Sequence, residues 1–336
     1  MRAKVLVTGG GGYIGSVGVN EFLELGHKVV VVDNFSAGYR EPLELLVSKY
    51  GKEKISIYEA DLTDDISHIF EKENDIEAVV HYAGVCSVDE SMHYPEKYFR
   101  NNTEATISLL SAMEKFKVSK IIFSSSCAVY GEVKNEIVAE DTPCNPVNPY
   151  GESKKMAEDV IRWHGKRRGL KYVILRYFNV CGASDDSALG DSKNPSIQLV
   201  QNAVRGGLGI SQFYLTCPTV DTFDTTPIRD YLNVVDLNLA HIKAFEYLGK
   251  GGESEVINLG TGVGYSVLEV VGEVERALGV RLEILTTEAR SGEYSKMVAS
   301  NKKAHKLLGW KPERSLEQSI KSLVTWYKSH PDGWER

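Results

Sequence analysis

The sequence predicts an α/β protein with a doubly wound parallel sheet and a smaller C-terminal α/β lobe. Up to about residue 180, short runs rich in β-branched residues alternate with longer stretches that can form helices. Beyond that point the alternation lapses into the irregular segment SDDSALGDSKNPS. Strands that alternate with helices form parallel βαβ units, and their sheet is buried on both faces. We therefore expect a regular first domain and a less regular second lobe.

The predicted strands follow one another along the first half of the chain. They are AKVLVTG, HKVVVVDN, KISIYEAD, AVVHYAG, KIIFSSS and KYVILRYFN. We assign residues 1–180 to the first domain and residues 181–336 mainly to the second lobe. The later run EVINLGTG predicts that the chain rejoins the sheet within a segment near 229–260, and SVLEVVGEVERALG has the period of an amphipathic helix. A further helix is expected at about 197–206.

The composition is that of an ordinary globular protein. Of the 336 residues, 42% are hydrophobic and 25% are charged. The net charge of −7 and the lack of a long basic stretch give no electrostatic support for a nucleic-acid partner. The N-terminus runs straight into a predicted strand without a signal-like apolar region, and no apolar run approaches the length of a membrane span. These features predict a cytoplasmic protein without a membrane partner.

The cysteines and histidines do not suggest a disulfide framework or a metal site. The cysteines are odd in number and lack a CxxC spacing, so we expect mostly reduced, buried thiols; they are Cys86, Cys127, Cys144, Cys181 and Cys217. His81 lies in an apolar run typical of a core histidine, and His164 and His241 have no partner at metal-ligand spacing. We assign no metal. The chain also lacks a GxSxG nucleophile elbow, which argues against acyl transfer.

A glycine motif follows the first predicted strand directly. Gly9, Gly12 and Gly15 have the GxxGxxG spacing, which lets the backbone and the next helix N-terminus approach a pyrophosphate. Asp33 ends the second strand, where a carboxylate accepts from an adenosine ribose 2′-OH and repels a 2′-phosphate. Together these features predict a Rossmann-type domain that binds NAD rather than NADP. Asp61 is expected either at the adenine edge or at a helix N-cap.

Tyr150 and Lys154, in NPYGESK, predict a base. A helix starting near Gly151 would place these residues on one face, with the ammonium beside the phenol. A phenol with an ordinary pKa of about 10 is a poor base near neutrality, and an adjacent cation favours its phenolate. Such a base could take a proton from a sugar hydroxyl. Ser126, the last serine of the run after KIIF, could share that proton, although three serines in a row are also common in turns.

The chain resembles the extended short-chain dehydrogenases/reductases and, within them, the UDP-sugar 4-epimerases. The similarity runs nearly end to end through TGGGGYIGS, VVDNFS, HYAG, SSSCAVYG, NPYGESK, RYFN, IRDYLNVVDL, NLGTGVGYSVLEVV and LLGWKP. The resemblance implies that Tyr150, Lys154 and Ser126 are catalytic. It also implies that NAD contacts Gly9, Gly12, Tyr13, Ile14, Gly15, Asp33, Asn34, Asp61, Leu62, Tyr82, Ala83, Gly84, Asn101, Ser124, Tyr150, Lys154 and Tyr177. The implied residues around the UDP-sugar are Ser126, Tyr150, Asn179, Gln198, Leu199, Arg229, Tyr231, Val267, Arg290, Glu293 and Met297.

The implied reaction is redox-neutral. Tyr150 would take the proton of the sugar 4-OH while hydride passes from C4 to NAD, giving transient NADH. The 4-keto sugar would then turn and receive the hydride on its other face, interconverting UDP-galactose and UDP-glucose. The resemblance also implies a homodimer formed through helices that include the one carrying Tyr150. An epimerase of another UDP-sugar (N-acetylhexosamine, pentose or glucuronate) and a non-catalytic NAD-binding sensor or scaffold are the alternatives.

Several positions depart from the family pattern. Cys86 stands where a lysine is common, Ala128 where a threonine is expected, Val180 where proline is common, and Thr216-Cys217 replace an aromatic–glycine pair. Sugar 4,6-dehydratases carry an acidic residue or pair just after the serine run, whereas this chain has Cys127 and Ala128, which makes dehydration improbable. At Met297 the family gates N-acetylated sugars, with a small residue admitting them and a tyrosine blocking them. Ordinary packing is the alternative role of this methionine.

Overall fold

A seven-stranded parallel sheet is the centre of the computed structural model, which describes residues 2–133, 137–193, 196–287 and 295–334. The strands are β1 (Lys4–Thr8), β2 (Lys28–Asp33), β3 (Ile55–Glu59), β4 (Ile76–His81), β5 (Lys120–Ser126), β6 (Ile137–Val138), β7 (Lys171–Tyr177), β8 (Asn179–Cys181), β9 (Phe213–Leu215), β10 (Ile228–Asn233), β11 (Glu255–Leu259), β12 (Gly264–Ser266), β13 (Ile284–Thr286) and β14 (Lys296–Ala299).

The helices flank this sheet and build the second lobe. They are α1 (Tyr13–Glu24), α2 (Glu41–Tyr50), α3 (Ser67–Lys72), α4 (Val88–His93), α5 (Pro95–Tyr98), α6 (Ala105–Lys115), α7 (Pro149–Arg168), α8 (Leu199–Gly207), α9 (Val234–Gly249), α10 (Val267–Leu278), α11 (Lys302–Leu308) and α12 (Leu316–Ser329). A π-helical turn, Phe99–Glu104, leads into α6, and a 3-10 turn, Cys127–Tyr130, follows β5.

The large sheet has the strand order β11-β7-β5-β4-β1-β2-β3. The order therefore reverses between β1 and β4, and ligands of open α/β sheets bind in the crevice at such a reversal. Each of the seven predicted strands lies in this sheet, and the predicted α/β fold class is confirmed. Six strands precede residue 180 and β11 rejoins the sheet later, whereas β10 belongs to a second sheet. The division into domains at residue 180 stays a prediction.

Alternating side chains of the strands fill two separate cores. Val5 and Val7 of β1 pack on the side of α1 and α9, whereas Leu6 packs on the opposite side with α6 and α7. Successive residues of a strand point to opposite faces, so a sheet covered on both faces needs apolar residues throughout its strands. The run KVLVT meets that requirement.

A second, smaller sheet forms the platform of the C-terminal lobe. Its order is β12-β10-β14-β6, and β8 pairs with β10 beside this path. These strands are two to six residues long, too short to give a clear period in the sequence. The predicted helices of the lobe are present as α8 and α10, and α10 begins with the capping box of Ser266 and Glu269.

Candidate active site

The glycine motif forms a tight turn between β1 and α1. Gly9 has a φ of +73°, and a side chain there would place its Cβ 2.6 Å from the backbone nitrogen of Ala83. Gly12 is the N-cap of α1, without a side chain over the first N–H groups of that helix. A Cβ at Gly9 would therefore clash with the loop after β4, and the glycine N-cap leaves the first N–H groups of α1 open to an anion. The turn therefore fits the diphosphate of a dinucleotide.

Asp33 lies at the carboxyl end of β2 beside this turn. Its carboxylate accepts from the Gly11 and Phe35 N–H groups, both at 2.8 Å. Burial raises the pKa of Asp33, and these two hydrogen bonds oppose the increase. The carboxylate is therefore held in place at the carboxyl end of β2, and its role at an adenosine ribose stays a prediction.

Asp61 forms a turn rather than the helix N-cap that was one of its two predicted roles. It accepts from the backbone and hydroxyl of Thr63 and from the Asn34 amide at 2.7 Å, while α3 starts only at Ser67. Burial would raise the pKa of Asp61, but the hydrogen bonds from Thr63 and Asn34 outweigh it and lower the pKa. The role at the adenine edge stays a prediction.

The first turn of α7 places Tyr150 against the end of β5. The Asn148 side chain caps the helix by accepting from the Gly151 N–H at 2.8 Å, and Pro149 occupies the first helical position, which its missing N–H suits. The helix thus begins two residues before the predicted start. Tyr150 is buried beside the Ser126 hydroxyl, which acts against the increase that burial causes in the pKa of the phenol.

Lys154 lies one helical turn beyond Tyr150, as the spacing predicts. Its ammonium donates to the Ser124 carbonyl at 3.0 Å and lies 5.0 Å from the Phe123 ring centroid. A Cβ on Gly84 would stand 3.3 Å from this ammonium, so a glycine at this position leaves room for the Lys154 ammonium. Tyr150, Lys154 and Ser126 are therefore brought together at the carboxyl end of β5.

The protonation of this pair differs from the expected phenolate. Burial raises the pKa of Tyr150 well above 10, and Tyr177 and Cys86 add to the increase. Burial also lowers the pKa of Lys154 to about 8. Both shifts have the same cause, because burial disfavours the charged form of each group. The expected lowering of the phenol pKa is thus not found in this structure, because desolvation raises it.

Two buried histidines have structural partners. His81 contacts the hydroxyls of Thr8 and Thr106 at 2.7 and 3.0 Å, and burial lowers its pKa to about 3. It is the core histidine that the sequence predicts. His241 contacts the Ser124 hydroxyl at 2.9 Å, and burial lowers its pKa to about 4. Both rings are therefore neutral near pH 7, and they join neighbouring elements, since His81 joins β4 to β1 and α6 and His241 joins α9 to β5.

The remaining predicted cofactor residues lie around the same crevice or beside it. Tyr82 donates to Asn238 at 2.7 Å, and Tyr177 lies close to the Ser124 hydroxyl, which acts against the increase that burial causes in the pKa of Tyr177. Asn101 donates to the Lys97 carbonyl of its own helical segment at 2.8 Å. Tyr13 and Ile14 open α1, Leu62 is buried, and Ala83 follows β4.

Sequence reasoning missed Asn102, the neighbour of Asn101. Asn102 accepts from the Val85 N–H at 2.9 Å and donates to the Ser153 hydroxyl at 2.9 Å. It thereby ties the loop after β4 to the helix that carries Tyr150 and Lys154. The adjacent asparagine was the visible signal, but the sequence alone does not tell which of the two faces inward.

Strand β10 carries two of the predicted substrate residues of the lobe, and two more lie opposite them on the neighbouring strands. Tyr231 pairs with Asn179 of β8, and Arg229 pairs with Met297 of β14. Burial raises the pKa of Cys127 to about 12, and Arg229 acts against this increase, which places its guanidinium close to the end of the serine run. The platform therefore faces the catalytic residues.

Other predicted substrate residues start helices of the lobe. Gln198 is the N-cap of α8 and Leu199 its first residue, while Val267 is the first residue of α10. The Val267 N–H donates to the Thr226 hydroxyl at 3.1 Å. Arg290 and Glu293 lie outside the described residues.

The cysteines are free thiols, but the expectation that most are buried is wrong. Only Cys181 is buried, and the other four are partly exposed. Three of them lie in loops, and Cys127 starts the 3-10 turn after β5. Within the described part of the chain, no group of three or more His, Cys, Asp or Glu residues could hold a metal ion. None of the described helices is both long and apolar enough to cross a membrane.

Comparisons with known proteins agree with this geometry. Residues 5–260 match the model of the NAD dependent epimerase/dehydratase family. The chain is 40% identical to the UDP-glucose 4-epimerase of Lactobacillus helveticus, over 99% of both chains. The chain belongs to the NAD-dependent epimerase/dehydratase family.

Solved structures are similar over almost the whole chain. The UDP-glucose 4-epimerase from Bifidobacterium longum, in complex with NAD+ and UDP, superposes with a TM-score of 0.94 at 36% identity, covering 99% of this chain and 100% of the other. The UDP-Glc/GlcNAc 4-epimerase from Campylobacter jejuni has a TM-score of 0.83 at 37% identity, covering 97% and 99%. The Rossmann-type fold and the use of NAD are thereby established.

Proposed function

We propose that the protein is a UDP-sugar 4-epimerase that interconverts UDP-galactose and UDP-glucose with NAD as its cofactor. The observation that carries this proposal is the position of Tyr150. Its phenol lies beside the Ser126 hydroxyl at the end of β5, with Lys154 one turn further along α7. The glycine turn after β1 opens onto the same edge of the sheet, so a base and a dinucleotide would meet at one sugar carbon.

The residues of this chain would act on the proton of the sugar 4-OH. Tyr150 accepts that proton, and the Ser126 hydroxyl stabilises the oxygen as its charge develops. Bound NAD supplies a reversible hydride acceptor for C4. Burial disfavours the phenolate of Tyr150, and the positive charge of Lys154 offsets part of this cost. The 4-keto sugar then turns and takes the hydride back on its other face.

Dehydration is disfavoured by the residues after the serine run. Elimination of water from a sugar needs an acid at this place, and Cys127 cannot supply one because burial raises the pKa of its thiol to about 12. Ala128 has no titratable group. The platform of β10 instead offers Arg229, whose planar fork suits the diphosphate of a UDP-sugar.

The identity of the sugar is the open part of this proposal. The similarity to the Campylobacter jejuni UDP-Glc/GlcNAc 4-epimerase supports an N-acetylated sugar as a second substrate. Met297 is 3% exposed and packs with Val129, Tyr130 and Phe178. A flexible methionine at this place can yield to a larger sugar substituent.

We further propose a homodimer in the cytoplasm. Helices α6 and α7 carry apolar side chains that the monomer leaves partly exposed, namely Ile107 (44%), Met156 (40%) and Trp163 (55%). A neighbouring copy would bury them. The free thiols suit a reducing compartment. Sedimentation of the wild type and of Trp163→Glu tests the dimer, which predicts twice the monomer mass for the former and a lower mass for the latter.

Product analysis tests the proposed reaction. Purified protein is incubated with UDP-galactose, with and without added NAD, and UDP-glucose is separated by chromatography. We expect conversion to the same equilibrium ratio from either sugar. Conversion of other UDP-sugars alone would favour the alternative epimerase. A lack of turnover with every UDP-sugar would favour a non-catalytic NAD-binding sensor or scaffold.

A further inference from the structure

A loop of the second lobe, residues 182–193, crosses the glycine turn of the first domain, and we call it the strap. The Tyr13 hydroxyl donates to the Gly182 carbonyl at 2.5 Å, and the Tyr39 hydroxyl donates to the Ser192 carbonyl at 2.9 Å. Tyr13 opens α1, and the Tyr39 N–H donates to the Gly11 carbonyl at 2.9 Å. Both tyrosines therefore fasten the strap to the turn that fits a diphosphate.

The strap ends on a lysine that points back into the crevice. The Lys193 ammonium donates to the Cys86 sulfur at 3.1 Å. Cys86 follows β4 and lies two residues beyond Gly84, which borders the Lys154 ammonium. Two cations from different parts of the chain thus approach the loop after β4, one from α7 and one from the strap.

The partner of Lys193 is a poor one for a cation. A thiol sulfur is a weak acceptor, whereas an ammonium has three N–H donors. Asp191 is already occupied, because it accepts from the Lys193 backbone N–H at 3.3 Å and from the Ser196 hydroxyl at 3.0 Å. Among the described residues, no carboxylate lies within ion-pair distance of the Lys193 ammonium. An anionic ligand would supply the acceptors that the protein does not.

The surroundings keep this cation charged and close to the catalytic tyrosines. The Asp191 carboxylate acts to raise the pKa of Lys193, whereas burial acts to lower it. Lys193 in turn acts to lower the pKa of Tyr177, which burial raises. The ammonium therefore lies in the crevice that also contains Tyr150 and Tyr177.

We propose that Lys193 binds the diphosphate of the dinucleotide and that the strap thereby retains the cofactor. The strap is fastened to the glycine turn, so its cation is directed to the cofactor rather than to the sugar nucleotide. The small Cys86 side chain leaves space for the lysine at this position. The inference rests on the use of NAD and is independent of which UDP-sugar is the substrate.

The bound cofactor is the direct test. NAD released by denaturation is measured per protein chain after purification, and NAD affinity is measured by calorimetry on refilled protein. We expect Lys193→Met to bind NAD at least about tenfold more weakly, and Lys193→Arg to stay within about threefold of wild type. In the double variant Cys86→Lys/Lys193→Met, a lysine at position 86 supplies the cation in place of Lys193. The affinity for NAD should then recover at least in part.

A matched control separates the charge in the crevice from the anchoring of the strap. Lys49 contacts Asp186 of the strap from the outside at 3.5 Å, so Lys49→Met should leave NAD affinity unchanged. Titration of the NAD-loaded variants with UDP distinguishes the two possible diphosphates. UDP affinity should change less than about twofold in Lys193→Met.

Three results would overturn the inference. They are an unchanged NAD content in Lys193→Met, a loss of UDP affinity with NAD affinity intact, and an equal loss of NAD in Lys49→Met. Thermal melting checks that each variant folds. If Lys193→Met does not fold, Lys193→Gln removes the charge with a smaller change in polarity. The NAD and UDP affinities of this variant are then compared with those of the wild type, and the same three results would overturn the inference.

Discussion

The ammonium of Lys154 donates to the carbonyl oxygen of Ser124 at 3.0 Å, and this contact joins helix α7 to strand β5. Ser126 ends the same strand and Tyr150 starts the same helix. The hydrogen bond thus fixes the distance between the base and the serine that shares its proton. It also holds a buried cation near the phenol, where the proposed reaction needs it.

Replacing Tyr150 by phenylalanine should remove most of the turnover. The ring still fills its buried site, but no oxygen is left to accept the proton of the sugar, so a loss of about 10²–10⁴-fold is expected. The rate of UDP-galactose conversion and the NAD content per chain are measured together. NAD content should not change. Substantial remaining activity would show that another group is the base.

The pKa of Lys154 predicts a pH dependence of stability in protein stripped of cofactor. Burial lowers this pKa from 10.5 to about 8. Between these two pH values the unfolded chain holds a proton that the folded protein has lost, so the free energy of unfolding should increase with pH. The total contribution is about 3 kcal/mol.

Chemical denaturation between about pH 7 and 10.5 checks this dependence. Lys154→Met has no proton to lose at this position, and its increase in stability over the same interval should be smaller by that amount. The wild type and the variant are compared in the same buffers. Parallel pH profiles for the two proteins would contradict the lowered pKa.

Asp33 should set the preference for NAD over NADP. Asp33→Asn keeps an oxygen for the Gly11 or Phe35 N–H but removes the charge that repels a 2′-phosphate. We expect the NAD-to-NADP affinity ratio to fall by about tenfold or more. Asp64→Asn, at an exposed position nearby, is the control. An unchanged ratio in Asp33→Asn would mean that the carboxylate does not face the ribose.

A buried ion pair holds α7 in place below the catalytic residues. Glu158 accepts from Arg176 at 2.6 and 2.8 Å and from the Ser125 hydroxyl at 2.6 Å. Glu158→Gln leaves a buried arginine without its counter-charge, which should cost about 3–5 kcal/mol in the free energy of unfolding. The control Asp159→Asn breaks partly exposed pairs on the same helix and should cost less than about 1 kcal/mol. Similar losses in both variants would contradict the structural role of Glu158.

Met297 should control the size of the sugar that is accepted. Met297→Gly enlarges the site and should raise the ratio of N-acetylated to plain hexose turnover, at a cost of about 2–5 kcal/mol in stability. Met297→Leu keeps the volume and should leave the ratio nearly constant. Initial rates with both UDP-sugars give the ratio. The same ratio in the glycine variant would mean that Met297 only packs the lobe.

The sequence predicts the large sheet well because its strands are long, apolar and separated by helices. It also predicts the meeting of Tyr150, Lys154 and Ser126, since two of these lie one helical turn apart and the third ends a strand. The short strands β6, β12 and β14 have too few residues to show a period. The contact of Lys193 with Cys86 joins positions 107 residues apart. Only the packing of the strap reveals it.

The pKa of Tyr150 shows a different limit of sequence reasoning. The spacing of Tyr150 and Lys154 predicts a cation beside a phenol, and the structure confirms that both side chains lie in one crevice. The cost of burial depends on every element packed around the site, and no local motif contains that information. Burial raises the pKa of Tyr150, whereas the adjacent cation predicts a lowered one.

The transfer of one hydrogen atom tests the central proposal most directly. UDP-galactose that carries deuterium at C4 is incubated with the protein in ordinary water, and the UDP-glucose formed is examined by mass spectrometry and NMR. If hydride leaves C4 for NAD and returns to the opposite face, the product keeps its deuterium at C4. Replacement of the deuterium by solvent hydrogen would contradict the proposed reaction.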